Sequence, residues 1–263
     1  MKKFALPDGA TLMVAVSGGK DSLAAWSVLT ELGYKTRGLH VDLGIEGFSG
    51  PSSEAVARFA GERGLEWVQY PLKDIFGYRI PEILGRTRRK ICSICGFLKR
   101  QILNRLVVKE GLRHLVVGHN LDDEAGRMLG NMMRHRTQYF EKQYPVLPSS
   151  HPGMPTKLKP LYRLEAWEIR AYCKILGIEP LSAACPLSRG ATSHAFKEAL
   201  DLMEAKMPGT KRDFLFTYLD HRSPPVEAVD WNHCRKCGQP AYGEQCSVCN
   251  LLDRLEPDAE APL

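Results

Sequence analysis

The sequence predicts an α/β protein: a parallel sheet with helices on both faces, followed by a small cysteine-rich module. Three observations predict this architecture. Short apolar runs alternate with amphipathic stretches over the first 120 residues, the pattern of βαβ units. A glycine-containing turn at 17–22 separates the first apolar run from the first amphipathic stretch, and four cysteines cluster between positions 234 and 249.

The elements follow in order along the chain. The apolar runs predict four buried strands: Leu12–Val16, Thr36–Leu43, Glu66–Tyr70 and Leu115–Val117. The amphipathic stretches between and after them predict four helices: Lys20–Leu32, Ser53–Arg63, Cys95–Lys109 and Asp122–Arg134. Four prolines in Pro145–Pro155 predict a loop. The remainder of this region predicts one extended segment, Lys157–Leu161, and three helices: Glu165–Leu176, Ser193–Met207 and Thr210–Leu219.

Ser223-Pro224-Pro225 marks a boundary between two predicted units. We expect a catalytic domain over residues 1–225 and a cysteine-rich tail over residues 226–263. No apolar run is long enough for a transmembrane helix, and Met1–Asp8 lacks the apolar core of a signal peptide. The sequence therefore predicts a cytosolic protein, in which clustered cysteines bind metal or react more often than they form disulfides.

The net charge of +6 permits a polyanionic partner without requiring one. The local pattern is more informative, because the segment Arg86–Arg100 carries six basic residues and no acidic one. The segment contains the pair Cys92 and Cys95. Contact with a nucleic-acid backbone and a solvated surface are both consistent with this run.

A phosphate site is predicted at the turn between the first strand and the first helix. Its glycines allow close approach to a ligand, and the backbone N–H groups at the helix start attract phosphate. The spacing is not that of the phosphoryl-transfer P-loop. It resembles the S-G-G-x-D-S loop of the ATP pyrophosphatases, which implies ATP as cofactor. The candidate ligands in the loop are Ser17, Gly18, Gly19, Lys20, Asp21 and Ser22.

Two further segments end at the same sheet edge, where ligands bind in open α/β sheets. His40, in the second strand, could contact the adenosine or only pack there. Gly118, a further candidate for cofactor binding, begins the segment Gly118–Glu124, in which Asp122 and Asp123 stand at the start of a helix. These carboxylates could cap the helix, hold Mg²⁺ against ATP phosphates or accept a proton.

Cys92, Cys95 and Cys185 form a candidate three-cysteine site. Three thiolates suit an iron–sulfur cluster with one open iron or a zinc ion with an open position. A redox pair of Cys92 and Cys95 is the alternative, and it would leave Cys185 unexplained. Cys173 is expected to be a small buried hydrophobic residue.

The tail has the spacing C-x₂-C-x₈-C-x₂-C, which predicts a structural Zn²⁺ site. Its ligands would be Cys234, Cys237, Cys246 and Cys249. Arg235, Lys236 and Tyr242 flank the cysteines and could contact RNA or be ordinary surface.

Five motifs together resemble one family, the TtcA/TtuA-type tRNA thiolation enzymes of the PP-loop ATP pyrophosphatase superfamily. In order they are SGGKDS at 17–22, CSIC at 92–95, GHNLDDEA at 118–125, KLKPLYRL at 157–164 and ACP at 184–186. The tail resembles the zinc module of the TtuA and cytosolic thiouridylase branch. That branch usually also begins with a cysteine-rich zinc module, whereas this sequence reaches the first strand almost directly.

The resemblance implies an adenine nucleotide α-hydrolase-like fold and a 2-thiolation of tRNA. Cys92, Cys95 and Cys185 would hold a [4Fe–4S] cluster whose fourth iron binds the incoming sulfur, and Asp21, Lys99 and Asp123 would be catalytic. Mg²⁺ and ATP would adenylate the carbonyl oxygen of the base, and sulfur would then replace it. Implied partners are tRNA, a sulfur donor (sulfide or a sulfur-carrier protein) and a second copy of the chain.

Three other functions remain open from the residues themselves. A PP-loop enzyme could amidate or thiolate a small molecule, and an iron–sulfur desulfurase could remove sulfur from thiolated bases without ATP. A nucleic-acid-binding protein with an inert nucleotide fold is the third, which would have no need of Ser17, Lys20 and Asp21.

Overall fold

A six-stranded sheet forms the centre of the protein. The computed structural model describes residues 9–87, 89–188, 192–221 and 231–255. The strand order in the sheet is β3-β2-β1-β4-β6-β5, and a separate two-stranded ribbon, β7-β8, lies in the tail. The strands are β1 (Thr11–Ala15), β2 (Lys35–Asp42), β3 (Trp67–Pro71), β4 (His114–Val116), β5 (Val146–Leu147), β6 (Thr156–Leu158), β7 (Asn232–His233) and β8 (Pro240–Ala241).

Helices connect the parallel strands and cover the sheet. They are α1 (Lys20–Glu31), α2 (Ser49–Arg63), α3 (Leu72–Phe76), α4 (Ile80–Ile83), α5 (Ile91–Lys109), α6 (Leu121–Met132), α7 (Ala166–Ile175), α8 (Thr192–Lys206), α9 (Thr210–Asp220) and α10 (Ser247–Leu255), with 3₁₀ turns at Thr137–Gln143 and Pro186–Ser188. None of the helices in the described ranges is long and apolar enough to cross a membrane.

Each face of the sheet has its own core, because successive side chains of a strand point to opposite faces. Met13 and Leu115 pack on the same face as α5, in one buried cluster. Val14 and Val116 point the other way and pack with α1 and α7. The predicted α/β class, with helices on both faces of a largely parallel sheet, is confirmed.

The edge strand β5 corrects the interpretation of Pro145–Pro155 as a loop throughout. Val146 and Leu147 pair antiparallel with β6, in register with Leu158 and Lys157. Proline is tolerated at the end of an edge strand, because no ladder hydrogen bond is lost there. The sequence pattern missed a two-residue strand because it is too short to show an alternation.

Helix α5 begins at Ile91, four residues before the predicted start at Cys95. Ile94, Leu98 and Ile102 are buried at helical spacing along one face. Because this apolar face packs in the core from Ile94 onward, the helix includes the cysteine motif, and Cys92 and Cys95 both lie in its first two turns.

The cysteine-rich tail packs on the α5 face of the sheet. Val248, Leu251 and Leu255 of α10 belong to the same buried cluster as the side chains of α5. Trp231 Nε1 also donates to Ser150 Oγ at 3.1 Å. The predicted domain boundary between residues 225 and 226, with Ser223-Pro224-Pro225, lies outside the described residues, as does Met1–Asp8.

Candidate functional site

The strand order reverses between β1 and β4. From β1 the chain proceeds to β2 and β3 on one side, whereas β4 and β6 lie on the other. The carboxyl edge of the sheet at such a reversal is the usual ligand site of an open α/β sheet. The loop 17–22 and the segment 118–124 both begin at this point.

The loop is held in shape by its own hydroxyls and by α2. Gly18 has φ +72°, and a Cβ on it would lie 2.6 Å from the backbone oxygen of Ser52, so only glycine fits. Ser22 Oγ donates to the Gly19 carbonyl at 2.9 Å and accepts from Ser17 N at 3.1 Å. No side chain caps the start of α1 at Gly19. Its first amides are therefore available to an anion.

Asp21 is fixed against the segment that follows β4. Asn120 Nδ2 donates to Asp21 Oδ1 at 2.9 Å, and Lys20 Nζ lies 2.5 Å from the same oxygen. A Cβ on Gly118 would lie 2.7 Å from the carbonyl carbon and oxygen of Asp21. Gly118 thus acts by close backbone packing, which brings Asn120 within reach of the loop.

His40 is buried behind the loop. Its Nδ1 donates to the Val16 carbonyl at 2.8 Å, and burial lowers the pKa of the imidazole. The ring is therefore neutral at pH 7, with Nδ1 protonated. Its Nε2 finds no hydrogen-bond partner among the described residues. Contact between His40 and a nucleotide remains a prediction.

The structure brings Cys92, Cys95 and Cys185 together. The 3₁₀ turn after Cys185 packs on the start of α5, where Cys92 Sγ donates to the Leu187 carbonyl at 3.2 Å. Burial raises the pKa of the Cys95 thiol, Lys99 opposes this shift, and the neighbouring Cys185 and Cys92 add to it. Three thiols converge with a lysine beside them, as the sequence predicts, and their role as cluster ligands remains a prediction.

Asp123 lies at the start of α6, whereas Lys99 lies in α5. Asp123 forms a capping box with Asn120, whose side chain accepts from Asp123 N at 2.9 Å, and its Oδ1 pairs with Lys197 of α8. The neighbouring Asp122 is buried and bound by Lys211 Nζ at 2.6 Å and by Ala166 N at 2.7 Å. Asp122 therefore joins helices, whereas Asp123 keeps a partly exposed carboxylate.

The sequence interpretation missed a buried ionic cluster around Glu124. Lys159 Nζ donates to Glu124 Oε2 at 2.9 Å, while His119 Nδ1 and an Arg127 nitrogen lie 3.1 and 3.3 Å from Oε1. Burial opposes ionisation of Glu124, but His119, Arg127 and Lys159 outweigh it and lower its pKa to about 2. The second lysine of KLKPLYRL was the available signal, since a lysine beside a buried strand needs a partner.

Glu124→Gln is expected to destabilise the fold strongly. The amide keeps the shape but leaves the 2% exposed Lys159 ammonium without a counter-charge, which costs about 3–5 kcal/mol. A chain of this size should lose on the order of 10 °C in Tm, measured by circular dichroism. Glu198→Gln on the exposed face of α8 is the matched control, and an equal Tm for both variants would contradict the expectation.

The low pKa also predicts a pH dependence. A carboxylate whose folded pKa is depressed stabilises the fold above its unfolded pKa of about 4.5, and this contribution disappears as pH falls toward about 2. The free energy of unfolding of the wild type should therefore fall more steeply in this window than that of Glu124→Gln.

The four tail cysteines form a compact candidate metal centre. Their Sγ atoms all lie within 4.8 Å of one another, and Cys237 Sγ is 3.7 Å from Cys246 Sγ. Tetrahedral zinc with Zn–S bonds near 2.3 Å would place sulfurs about 3.8 Å apart. Burial and the neighbouring Cys246 and Cys237 raise the pKa of Cys249. A divalent cation would relieve this crowding, so the residues fit zinc.

Cys237→Ser is expected to loosen the tail before the rest of the chain. The loss of one thiolate removes a ligand from a segment that has only two short strands and one helix, and metal binding would supply much of the stability of this segment. Limited proteolysis should cut between residues 231 and 255 first, and bound zinc should fall below one equivalent. Cys173→Ser in α7 is the control, and identical cleavage of both variants would exclude a metal-stabilised tail.

Known tRNA sulfurtransferases match almost the whole chain, although no protein-family model matches it. The chain is 43% identical over 94% of its length to the tRNA-5-methyluridine(54) 2-sulfurtransferase of Thermus thermophilus, and the match covers 78% of that protein. The enzyme of the same name from Pyrococcus horikoshii is 38% identical, over 91% of this chain and 77% of that protein.

Among solved structures, the chain resembles the U34-tRNA thiolase NcsA from Methanococcus maripaludis, determined with its [4Fe–4S] cluster. The TM-score is 0.82 and the identity 26%, with 100% of this chain and 88% of that chain covered. The fold likeness and the sequence identity agree with the five motifs found in order. The chain belongs to the TtcA/TtuA-type family of tRNA thiolation enzymes in the PP-loop ATP pyrophosphatase superfamily.

Proposed function

We propose that the protein is an ATP-dependent sulfurtransferase that adenylates a tRNA base and replaces its carbonyl oxygen with sulfur. One observation carries the proposal: strand β4 links the loop 17–22 to α5, the helix that carries two of the three cysteines. Asp21 contacts the segment after β4, and α5, which carries Cys92 and Cys95, leads directly into β4.

The loop residues would bind and orient ATP. The open amides at the start of α1, with Lys20 and the two serines, would hold the β- and γ-phosphates that leave as pyrophosphate. Asp21 would hold Mg²⁺ on the phosphates, because carboxylate oxygens are preferred magnesium ligands. The base oxygen would attack the α-phosphorus with loss of its neighbouring N–H proton, which makes AMP the leaving group for the next step.

Cys92, Cys95 and Cys185 would hold a [4Fe–4S] cluster. The donor set fits this group, since three thiols converge from two segments and Lys99 offsets their negative charge. When bound, the cluster supplies an iron with an open position at which sulfur can coordinate. Lys99 would stabilise negative charge that develops on the base when sulfur attacks the carbon and AMP departs.

Position 54 of tRNA is the proposed target. The relatives from Thermus thermophilus and Pyrococcus horikoshii, at 43% and 38% identity, are named for 5-methyluridine 54, whereas the structural relative at 26% is named for U34. The zinc centre would hold the tail in place, and the tail could contribute Arg235 and Tyr242 to RNA contact.

The test is a reconstituted reaction. Anaerobically purified protein, tRNA, Mg·ATP and sulfide should give a 2-thiolated nucleoside by mass spectrometry, with one AMP and one pyrophosphate per sulfur. A tRNA with cytidine at position 54 should give none. Sulfur incorporation without ATP, or loss of sulfur from thiolated tRNA, would contradict the proposal and favour a desulfurase. Product at position 34 alone would overturn the assigned position.

A further inference from the structure

Three basic side chains from three different elements lie near one another, because Arg100 repels both Arg127 and Lys157 and also interacts with Cys95. Arg100 lies on α5, Arg127 on α6 and Lys157 on β6. The guanidinium of Arg100 folds back along its helix, so that a Cβ on Gly96 would lie 3.3 Å from Arg100 Nη1. This places the charge next to Cys95. We call these three residues the basic cluster.

The sheet register directs Lys157 toward the same place. Lys157 is in register with Leu115 of β4, and Leu115 packs in the cluster that contains α5. Neighbours in register share a face of the sheet. The Lys157 side chain therefore projects toward α5 and Arg100, whereas Leu158 points to the opposite core.

Among the side chains that the structure describes, only Arg127 of the basic cluster forms an ion pair with a carboxylate, that of Glu124. Among the described side chains, no carboxylate acts on the pKa of Arg100 or of Lys157. Arg127 reaches Glu124, but that carboxylate also serves Lys159 and His119. Like charges consequently remain close together in a partly buried position.

The pKa values of Lys157 and Arg100 are both lowered, as expected for cations that lie near other cations. Burial, followed by repulsion from Arg100, Lys142 and Lys159, lowers the pKa of Lys157 to about 8. Burial and repulsion from Arg127 lower the pKa of Arg100, with a small opposing effect of Cys95. An anion in contact with all three side chains would remove this repulsion, and cations gathered without an acid are typical of phosphate sites.

We propose that the basic cluster of Arg100, Arg127 and Lys157 binds a backbone phosphate of the RNA substrate and so holds the target base over the cysteine site. This rests on the proposed function. An RNA phosphate fits better than a nucleotide phosphate, because ATP has its own site at the start of α1. The cluster is also open to a large ligand, because the Arg127 side chain is 40% exposed and the Arg100 side chain reaches the surface, although neighbouring groups partly shield its guanidinium.

The test is tRNA binding by Arg100→Gln and Lys157→Gln as a function of salt. Each variant removes one phosphate contact, so its Kd for tRNA should rise about tenfold at physiological salt. The slope of log Kd against log salt should fall by about 0.7–0.9. Arg170→Gln is the matched control, because Arg170 is exposed on α7, on the opposite face of the sheet. Its Kd and slope should equal those of the wild type.

The remaining outcomes separate this inference from the proposed function. Arg100→Lys keeps the charge and should recover most of the affinity, which a folding defect would not allow. Unchanged Kd and slope in both glutamine variants would overturn the inference while the wild type still thiolates tRNA. A raised Kd for ATP with unchanged tRNA binding would identify the nucleotide as the anion and also overturn it. A wild type that neither binds nor thiolates tRNA would instead refute the proposed function.

Discussion

Replacing Asp21 by alanine is expected to abolish the release of AMP and, with it, all thiolation. The Asp21 carboxylate accepts from Asn120 at 2.9 Å and lies 2.5 Å from Lys20 Nζ. It is thus the acidic group positioned at the predicted phosphate end of the loop. Without it, Mg·ATP loses a ligand and Lys20 loses the contact that orients it. We expect AMP formation to fall by about 10³-fold or more.

The measurement is AMP and pyrophosphate release with tRNA present, alongside ATP binding by calorimetry. Asp74→Ala removes an exposed carboxylate on α3 and serves as the control. In Asp21→Asn the amide oxygen can still accept the hydrogen bond from Asn120, but the negative charge is lost. This variant should therefore be nearly as inactive as the alanine variant. AMP release at the wild-type rate in Asp21→Ala would remove the adenylation step from this loop.

The sheet and the position of the loop 17–22 could be predicted because their signals are local. Alternating apolar runs identify strands whatever their neighbours, and a glycine-containing turn between a strand and a helix predicts a phosphate site without further context. The role of Gly118 could not be predicted in this way. It depends on β4 lying next to β1, which brings the backbone of Gly118 against Asp21. Neither the sequence around Gly118 nor that around Asp21 indicates this strand order.

Burial of charge was the other feature beyond prediction. The run Asp122-Asp123-Glu124 is typical of exposed helix caps. In the structure only Asp123 keeps that role, because α8 and α9 pack against α6 and Asp122 binds Lys211 and the first N–H of α7. Glu124 is fully buried against Lys159, which is distant in sequence. Ion pairs between distant residues leave no spacing signal, whereas the local capping box does.

The meeting of Cys185 with Cys92 and Cys95 leads to the second large effect. Cys185→Ala is expected to lose most of the bound iron and all thiolation, while AMP formation with tRNA continues. The reason is the separation of the two sites: the loop lies on β1 and α1, and the cysteines lie on α5 and the turn after Cys185. Two thiolates cannot hold a four-iron cluster firmly. Anaerobically purified wild type should be brown with about four irons per chain, and the variant nearly colourless.

Cys173→Ala is the control, because it shows whether iron is lost when any free cysteine is removed or only when a cluster ligand is removed. Cys173 is also an unpaired cysteine, but it is buried in α7 on the opposite face of the sheet. Its Sγ donates to the Lys20 carbonyl at 3.7 Å, on the other side of the sheet from the three candidate ligands. The control should keep its iron and its colour. An active, colourless wild type that contains only zinc would refute the cluster, because the four tail cysteines, whose Sγ atoms lie within 4.8 Å of one another, would account for one zinc per chain.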